Sequence, residues 1–154
     1  MRQSAEPVEE DIARLLDKST NPTETLVMIA ARVGQGLFRT VVSRRWGNRC
    51  AVSGCSIAEA LRASHIKPWA ESSDDERLDP HNGILLAAHV DALFDRYLVS
   101  FQGNGKLVVS SLLSAKELST LGIRTDWRLS KPLSAKQKAF LTLHRREMKR
   151  REMT

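Results

Sequence analysis

The stretch from residue 64 to residue 95 constrains the fold more than any other part of the chain. It begins with an apolar run that carries one histidine, His65, passes through a dozen acidic and turn-forming residues, and resumes as an apolar run after Asn82. Short apolar runs bounded by turn residues are typical of buried strands. The last part has helical spacing, which places Asp91 and Asp95 on one helix face because they lie four residues apart. The pattern predicts a strand, a polar loop at residues 74–80, a second strand and a helix.

The residues of this stretch also indicate a chemistry. An imidazole opposite two carboxylates, with an amide at the intervening turn, suits metal-assisted hydrolysis of a phosphodiester. His65 is the candidate general base because an imidazole with an ordinary pKa of about 6.5 accepts a proton near neutral pH. The alternative is a strand histidine satisfied by the backbone. Asn82 is the candidate for orienting the His65 ring, although Asn-Gly is also a common turn sequence.

Five segments in a fixed order carry a resemblance to a known family. They read R-V-G-Q-G-L-F-R at 32–39, C-A-V-S-G-C at 50–55, A-S-H-I-K-P-W at 63–69, N-G-I-L-L at 82–86 and D-A-L-F-D-R at 91–96. In this order the segments, which span residues 32–101, resemble the HNH endonucleases. The resemblance implies an α+β fold, in which a ββα-metal core of one β-hairpin and one helix surrounds a divalent cation, and it implies hydrolysis of DNA.

The resemblance also implies roles for individual residues. His65 and Asn82 become the catalytic residues, while Asp91, Asp95 and His89 become candidate metal ligands. Carboxylate ligands suit Mg²⁺ or Mn²⁺. For Asp95, the alternative is a surface ion pair with a neighbouring arginine, Arg96 or Arg45.

Two positions depart from the family pattern and support a second hypothesis. Ser64 stands where an acid or a histidine usually precedes the base, and the helix reads His89-Val90-Asp91 where Asp-x-His is more usual. Residues two apart on a helix point about 200° apart, so His89 and Asp91 should not both face one ion unless the helix begins after His89. The alternative function is therefore a non-catalytic DNA-binding module on a degenerate HNH scaffold.

The charge distribution favours a polyanionic partner. The net charge is +6, and residues 128–154 hold nine Lys or Arg residues against two acidic ones. Basic segments of this kind are typical of nucleic-acid-binding proteins, although a solvated basic helix is the alternative. We expect DNA as the partner, with RNA left open. The candidate DNA-binding residues are Lys67, Arg39, Arg44, Arg45, Arg145, Arg146, Lys149 and Arg150.

The 154 residues predict a single domain. Within it we expect N-terminal helices at 1–47, the HNH nuclease core at 48–101, and a second hairpin strand with basic C-terminal helices at 102–154. The N-terminal part should hold a helix at 7–18, a helix capped by Asn21, an interruption at Gly34 and Gly36, and a further helix at 37–46. The C-terminal part should hold a hairpin at 97–110, a helix at 114–121 and a helix at 134–151. The inner face of the last helix should carry Phe140, Leu141, Leu143 and His144.

The remaining features bear on cofactors and location. Cys50 and Cys55 cannot complete a tetrahedral zinc site alone, so structural zinc is not expected. A zinc-dependent interaction module that recruits a histidine pair to these thiols is a further rival. No apolar run approaches the length of a membrane span, and two cysteines in 154 residues are typical of a reduced compartment. We therefore expect a cytoplasmic protein without a membrane partner. The oligomeric state stays open, a homodimer included, and the sequence does not choose between restriction, phage DNA processing and toxin-like roles.

Overall fold

The fold is a mixture of six helices and two antiparallel hairpins within the residues that the computed structural model describes, 6–18 and 21–154. The helices are α1 (Glu6–Asp17), α2 (Pro22–Arg45), α3 (Asp74–Leu78), α4 (Ala88–Asp95), α5 (Ala115–Thr120) and α6 (Ala135–Glu152). The strands are β1 (Leu61–His65), β2 (Gly83–Ala87), β3 (Val99–Phe101) and β4 (Leu107–Val109). This architecture confirms the predicted α+β class.

The hairpin of β1 and β2, with α4 following it, forms the centre of the molecule. The two strands pair antiparallel, with Leu61 opposite Ala87 and His65 opposite Gly83. Every residue of β2 is buried, and α4 begins immediately after it. The predicted order of strand, connection, strand and helix is therefore confirmed, and His65 lies at the end of β1 beside the start of β2.

Helix α2 is continuous, so the predicted interruption at Gly34 and Gly36 is wrong. Each glycine inside a helix costs about 1 kcal/mol of stability relative to alanine, so helix propensity alone predicts a break at two nearby glycines. Tertiary packing offsets that cost, because a Cβ on Gly34 would lie 3.3 Å from the side chain of Leu78 at the end of α3. The start of α2 is as predicted, since the Asn21 side chain accepts hydrogen bonds from the backbone N–H groups of Thr23 and Glu24.

Gly83 permits the close approach of α2 to β2. A Cβ at this position would lie 2.5 Å from Cγ2 of Val42 and 2.7 Å from Cζ of Phe38, distances at which atoms overlap. The indole N–H of Trp46 donates to the Gly83 carbonyl at 3.2 Å. The packing of α2 on β2 therefore requires glycine at position 83. The same packing places Phe38 beside the end of β1.

The connection between β1 and β2 contains α3, so the prediction of a polar loop at 74–80 is wrong in part. Ser73 caps the helix by accepting from the Glu76 N–H, and the Glu76 side chain accepts in turn from the Ser73 N–H. This capping box satisfies two N–H groups at the start of α3. The acidic residues of this segment therefore belong to the first turn of a helix, where they oppose the positive end of its dipole.

The C-terminal third confirms most of the predicted elements. Strands β3 and β4 pair with Val99 opposite Val109, and α6 packs against β3. On α6, Leu141 and His144 are buried as predicted, but Leu143 is 46% exposed, so its predicted inward position is wrong. Sequence reasoning missed the burial of Gln137 and Met148 on the same helix.

His144 should make folding stability depend on pH. Its Nε2 donates to the Phe94 carbonyl at 2.9 Å, and burial lowers the pKa of His144 to about 4. The unfolded chain, with an ordinary pKa near 6.5, takes up the proton first as pH falls, so stability is complete above pH 6.5 and is lost between 6.5 and 4. At pH 4.5 the free energy of unfolding should be lower by about 2–3 kcal/mol, because each pH unit below 6.5 costs about 1.4 kcal/mol.

Urea denaturation at pH 7 and pH 4.5 measures this effect when the wild type is compared with His144→Gln. The variant has no imidazole at 144, so the wild type should lose about 2–3 kcal/mol more than the variant between the two pH values. Equal losses in the two proteins would contradict the assignment to His144.

Among the described residues, α2 is the one helix long and apolar enough to cross a membrane by length and composition. Length and composition alone are weak evidence, since core helices pass the same criterion. The C-terminal half of α2 packs into the core through Phe38 and Val42, whereas Leu26 and Leu37 are exposed. The predicted absence of a membrane partner stays a prediction.

Candidate active site

His65 is held in the tautomer that a general base needs. Its Nε2 lies 2.9 Å from the backbone carbonyl oxygen of Arg77. A carbonyl only accepts hydrogen bonds, so Nε2 carries the proton and Nδ1 carries the free lone pair of the neutral ring. Burial lowers the pKa of His65 below its usual value of 6.5. The imidazole is therefore neutral near pH 7, with Nδ1 able to accept a proton.

Two aromatic rings fix the plane of this imidazole. The Phe38 ring stacks on it with the centroids 3.7 Å apart and the planes 8° from parallel. Trp69 meets it edge-on at 5.7 Å, and the Arg77 guanidinium lies 4.8 Å from the centroid of the Trp69 ring. Trp69 therefore packs against the candidate base and is positioned by Arg77.

Asn82 holds together the two ends of the β1–β2 connection. It is completely buried, and its Oδ1 accepts from the Lys67 N–H at 2.8 Å. Its Nδ2 donates to the Glu76 carbonyl at 3.1 Å and to the Lys67 carbonyl at 3.3 Å. Glu76 directly precedes Arg77, whose carbonyl accepts from His65. Asn82 thus supports the segment that orients the base, since its side-chain hydrogen bonds go to that segment and not to the His65 ring.

Asp91 and Ser64 bring two oxygen groups together beside the base. The Ser64 hydroxyl donates to Oδ1 of Asp91 in a short hydrogen bond between β1 and α4. Burial raises the pKa of Asp91, the Ser64 hydrogen bond lowers it, and the negative charge of Asp95 raises it. A partly buried carboxylate with a second acid one helical turn away is stabilised by a cation.

A cleft of about 290 Å³ contains the base and the carboxylate. Its lining residues are Gln35, Phe38, Arg39, Arg62, Ala63, His65, Trp69 and Asp91. The cleft therefore places an imidazole, a carboxylate and two guanidinium groups around one space. Arg62 was missed by sequence reasoning, although strand alternation places it on the same side of β1 as Ser64, and that signal could have found it.

The chain shows a match to one family model, described as HNH endonuclease, over residues 50–102. This segment is an HNH domain. The match covers β1, α3, β2, α4 and β3. It includes the cleft residues of β1 and α4, whereas the cleft residues of α2 lie outside it. No curated protein matches the chain. The HNH domain supports a nuclease or nucleic-acid-binding function, and HNH nucleases generally use a divalent metal.

The candidate ligands of the HNH domain lie on α4, but not all on one side. Asp91 and Asp95 are close enough for the charge of Asp95 to raise the pKa of Asp91. His89 is exposed two residues before Asp91, about 200° around the helix, and its assignment as a ligand stays a prediction. Within residues 6–18 and 21–154, no cluster of three or more His, Cys, Asp or Glu residues is placed to hold a metal. Any ion here would depend on Ser64, water and substrate oxygens beside the carboxylates.

The two cysteines lie in a tight loop at the start of the HNH domain. The Cys50 N–H donates to the Cys55 carbonyl at 2.9 Å, and Cys50 Sγ accepts from the Ser53 N–H at 3.4 Å. Both thiols are free, and in the described part of the chain no histidine joins them in a ligand cluster. These hydrogen bonds close the loop, and the zinc-module hypothesis stays untested.

Several of the predicted DNA-binding residues already make bonds within the protein. Lys67 pairs with Glu76 at 3.0 Å, and Arg39 donates to the Leu61 and Ala58 carbonyls at 3.2 and 3.1 Å. On α6, three of the predicted residues are engaged, namely Arg145 with the Phe101 carbonyl, Lys149 with Glu152 and Arg150 with Glu147.

The other predicted contacts differ in exposure. Arg44 and Arg146 are exposed, and Arg45 is half-buried. The nucleic-acid contacts of all eight residues stay predictions.

Proposed function

We propose that this chain is a divalent-metal-dependent HNH endonuclease that hydrolyses phosphodiester bonds in DNA. The observation that carries the proposal is the hydrogen bond from His65 Nε2 to the Arg77 carbonyl. That bond leaves Nδ1 as the proton acceptor in a cleft that also holds Asp91 and two arginines. General acid–base catalysis requires such a tautomer within reach of the reacting water.

The residues of the cleft fit a hard divalent cation. Asp91 and Ser64 present oxygen atoms at one point, and Asp95 adds negative charge one helical turn away. Oxygen ligands suit Mg²⁺ or Mn²⁺, and Mg²⁺ usually keeps several waters and substrate oxygens in its coordination sphere. When bound, such an ion would supply Lewis-acid polarisation of the scissile phosphate and stabilisation of the leaving oxygen.

The chain's own residues would perform the other parts of the reaction. His65 Nδ1 takes a proton from the attacking water, while Phe38 and Trp69 hold the ring against rotation. Arg62 and Arg39 place positive charge at the cleft, where they offset the charge of the phosphate. Burial lowers the pKa of Arg39, but an arginine keeps its charge at neutral pH.

A nicking assay on supercoiled plasmid tests the proposal. With Mg²⁺ or Mn²⁺ the protein should convert supercoiled DNA to open circles, and EDTA should abolish the conversion, because Asp91 and Asp95 would then lack their cation. Asp91→Asn should lower activity at limiting metal by at least about 10-fold, since a ligand charge is lost. Asp75→Asn, which removes the same charge from an exposed position on α3, should retain wild-type activity. Full nicking in EDTA would reject this mechanism.

The alternative, a non-catalytic DNA-binding module, is favoured by one observation. The hydroxyl of Ser64, which precedes His65, donates a hydrogen bond to Asp91. Among the described residues, no cluster of three or more His, Cys, Asp or Glu residues is placed to hold a metal. This alternative predicts binding without cleavage under any metal, with log K falling by about 0.9 per neutralised phosphate against log salt. Binding and nicking measured on the same plasmid at matched metal separate the two functions.

A further inference from the structure

A second pocket lies where the end of α2 meets the start of α6. It has a volume of about 350 Å³ and shares no lining residue with the cleft that contains His65. Its lining residues are Arg45, Trp46, Lys131, Pro132 and Gln137. The HNH mechanism proposed above uses none of them, so the pocket needs its own explanation.

The charged groups that line this pocket are both positive. Arg45 and Lys131 contribute a guanidinium and an ammonium group, and no acidic residue is among the lining residues. The Lys131 Nζ donates to the Arg45 carbonyl at 2.8 Å, which holds the ammonium group near the last turn of α2. An ammonium has three protons, so two remain for another acceptor.

Gln137 adds an unmatched donor to the pocket wall. Its Oε1 accepts from the Ser134 N–H at 2.9 Å as part of a capping box, which fixes the other end of the amide as Nε2. The side chain is completely buried, and Nε2 has no hydrogen-bond partner in the described structure. Buried donors are nearly always paired, so an orphan beside a pocket points to an acceptor that binds there.

The first turn of α6 adds to the positive electrostatic potential of the pocket. Gln137 occupies the third position of an 18-residue helix. The first N–H groups of a helix carry partial positive charge and attract anions. Two cations, an orphan amide donor and a helix start therefore converge on a pocket that no acidic residue lines.

We propose that this pocket binds a phosphate group. A tetrahedral oxyanion accepts several hydrogen bonds at once, which matches a pocket lined by a lysine, an arginine and a glutamine whose buried amide donor is unpaired. If the phosphate belongs to a nucleic-acid backbone, the site rests on the function proposed above and anchors the substrate away from the cleft. If it is a free phosphate, the site is independent of the nuclease reaction.

Titration with inorganic phosphate at constant ionic strength tests the site. The probe is the protein's NMR spectrum, in which the side-chain amide of Gln137 should shift on binding. Lys131→Met should weaken phosphate binding by at least about 10-fold because it removes a charged donor. Gln137→Glu should weaken it as much, since glutamate keeps the capping acceptor and replaces the donor with a negative group.

Lys116→Met is the matched control, because Lys116 is exposed on α5 and does not line the pocket. It should leave phosphate affinity unchanged. A Gln137 amide that does not respond to phosphate would overturn the proposal, as would equal affinities in the wild type and Lys131→Met.

A second arm identifies the source of the phosphate. Duplex DNA binding is measured in EDTA, so the result does not depend on cleavage. For a backbone phosphate, Lys131→Met lowers DNA affinity and reduces the slope of log K against log salt by about 0.9, and inorganic phosphate competes with DNA. For a free phosphate, Lys131→Met loses phosphate binding but keeps wild-type DNA affinity. Both results support a phosphate site, and neither depends on whether His65 acts as a base.

Discussion

Replacing His65 with glutamine should lower the plasmid-nicking rate about 10²–10⁴-fold at saturating metal, the usual contribution of a positioned general base. Glutamine can still donate to the Arg77 carbonyl, as Nε2 of His65 does at 2.9 Å. What it lacks is a nitrogen that accepts a proton near neutral pH. The expected loss is therefore in the rate at saturating DNA rather than in DNA affinity.

The pH profile gives an independent test of the same role. Burial lowers the pKa of His65, so the ring is protonated only at a pH below its ordinary value of 6.5. The nicking rate of the wild type should fall with falling pH through that lowered pKa and level off above it, because only the neutral ring accepts a proton.

The matched control is the same substitution at His81, which lies outside the cleft with its Nδ1 2.7 Å from the Ser134 hydroxyl. His81→Gln should nick DNA at the wild-type rate. Thermal melting of both variants shows whether each remains folded. A folded His65→Gln protein with wild-type nicking would eliminate His65 as the base.

The hairpin and α4 could be predicted because each local signal agrees with the final structure. The apolar run predicted at 61–69 contains β1, which ends at His65, and the run after Asn82 forms most of β2. The segment in which Asp91 and Asp95 have helical spacing forms α4. The errors lie where tertiary contacts override local propensity. Gly34 remains helical because α2 packs on α3, a contact between residues far apart in sequence.

In the candidate site, too, some features could be predicted from local sequence signals, and others depend on tertiary contacts. His65, Asn82 and Asp91 were predicted from the sequence, and their roles stay predictions. His65 and Asp91 line the cleft, and Asn82 bonds to the Lys67 N–H two residues after His65. The hydrogen bond between Ser64 and Asp91 joins β1 to α4 and depends on how α4 packs, which sequence periodicity does not give.

The C-terminal charge shows a different limit of sequence reasoning. The count of nine cations against two acids gives the net charge of residues 128–154, but not which of the cations are unpaired. Glu147 accepts hydrogen bonds from Arg150 and Arg151, and Glu152 pairs with Lys149. Three- and four-residue spacings of this kind are visible in the sequence as neighbours on one helix face, so this pairing could have been predicted.

Asn82→Ala should lower the free energy of unfolding by about 2–5 kcal/mol and the nicking rate of the remaining folded protein by about 10²-fold. The stability loss follows because the Lys67 N–H and the Glu76 carbonyl lose a buried partner, and each unsatisfied group costs about 1–3 kcal/mol. The rate loss follows because Glu76 precedes the carbonyl that orients His65. A displacement of about 1 Å at a catalytic group costs about 10²-fold.

Asn82→Asp separates the two halves of this role, because it is nearly isosteric and keeps Oδ1 for the Lys67 N–H. It replaces the donor to the Glu76 carbonyl with an acceptor, so α3 should move away from the hairpin while the Lys67 turn is retained. Urea denaturation and nicking under identical metal should therefore show a rate loss similar to that of Asn82→Ala. The stability loss should be at least as large, because a completely buried carboxylate would face two backbone carbonyls. Asn104→Ala is the control, since Asn104 accepts from a backbone N–H in an exposed turn of the second hairpin. If Asn82→Asp nicks DNA at the wild-type rate, the bond to Glu76 does not position the base, and Asn82 serves only the fold.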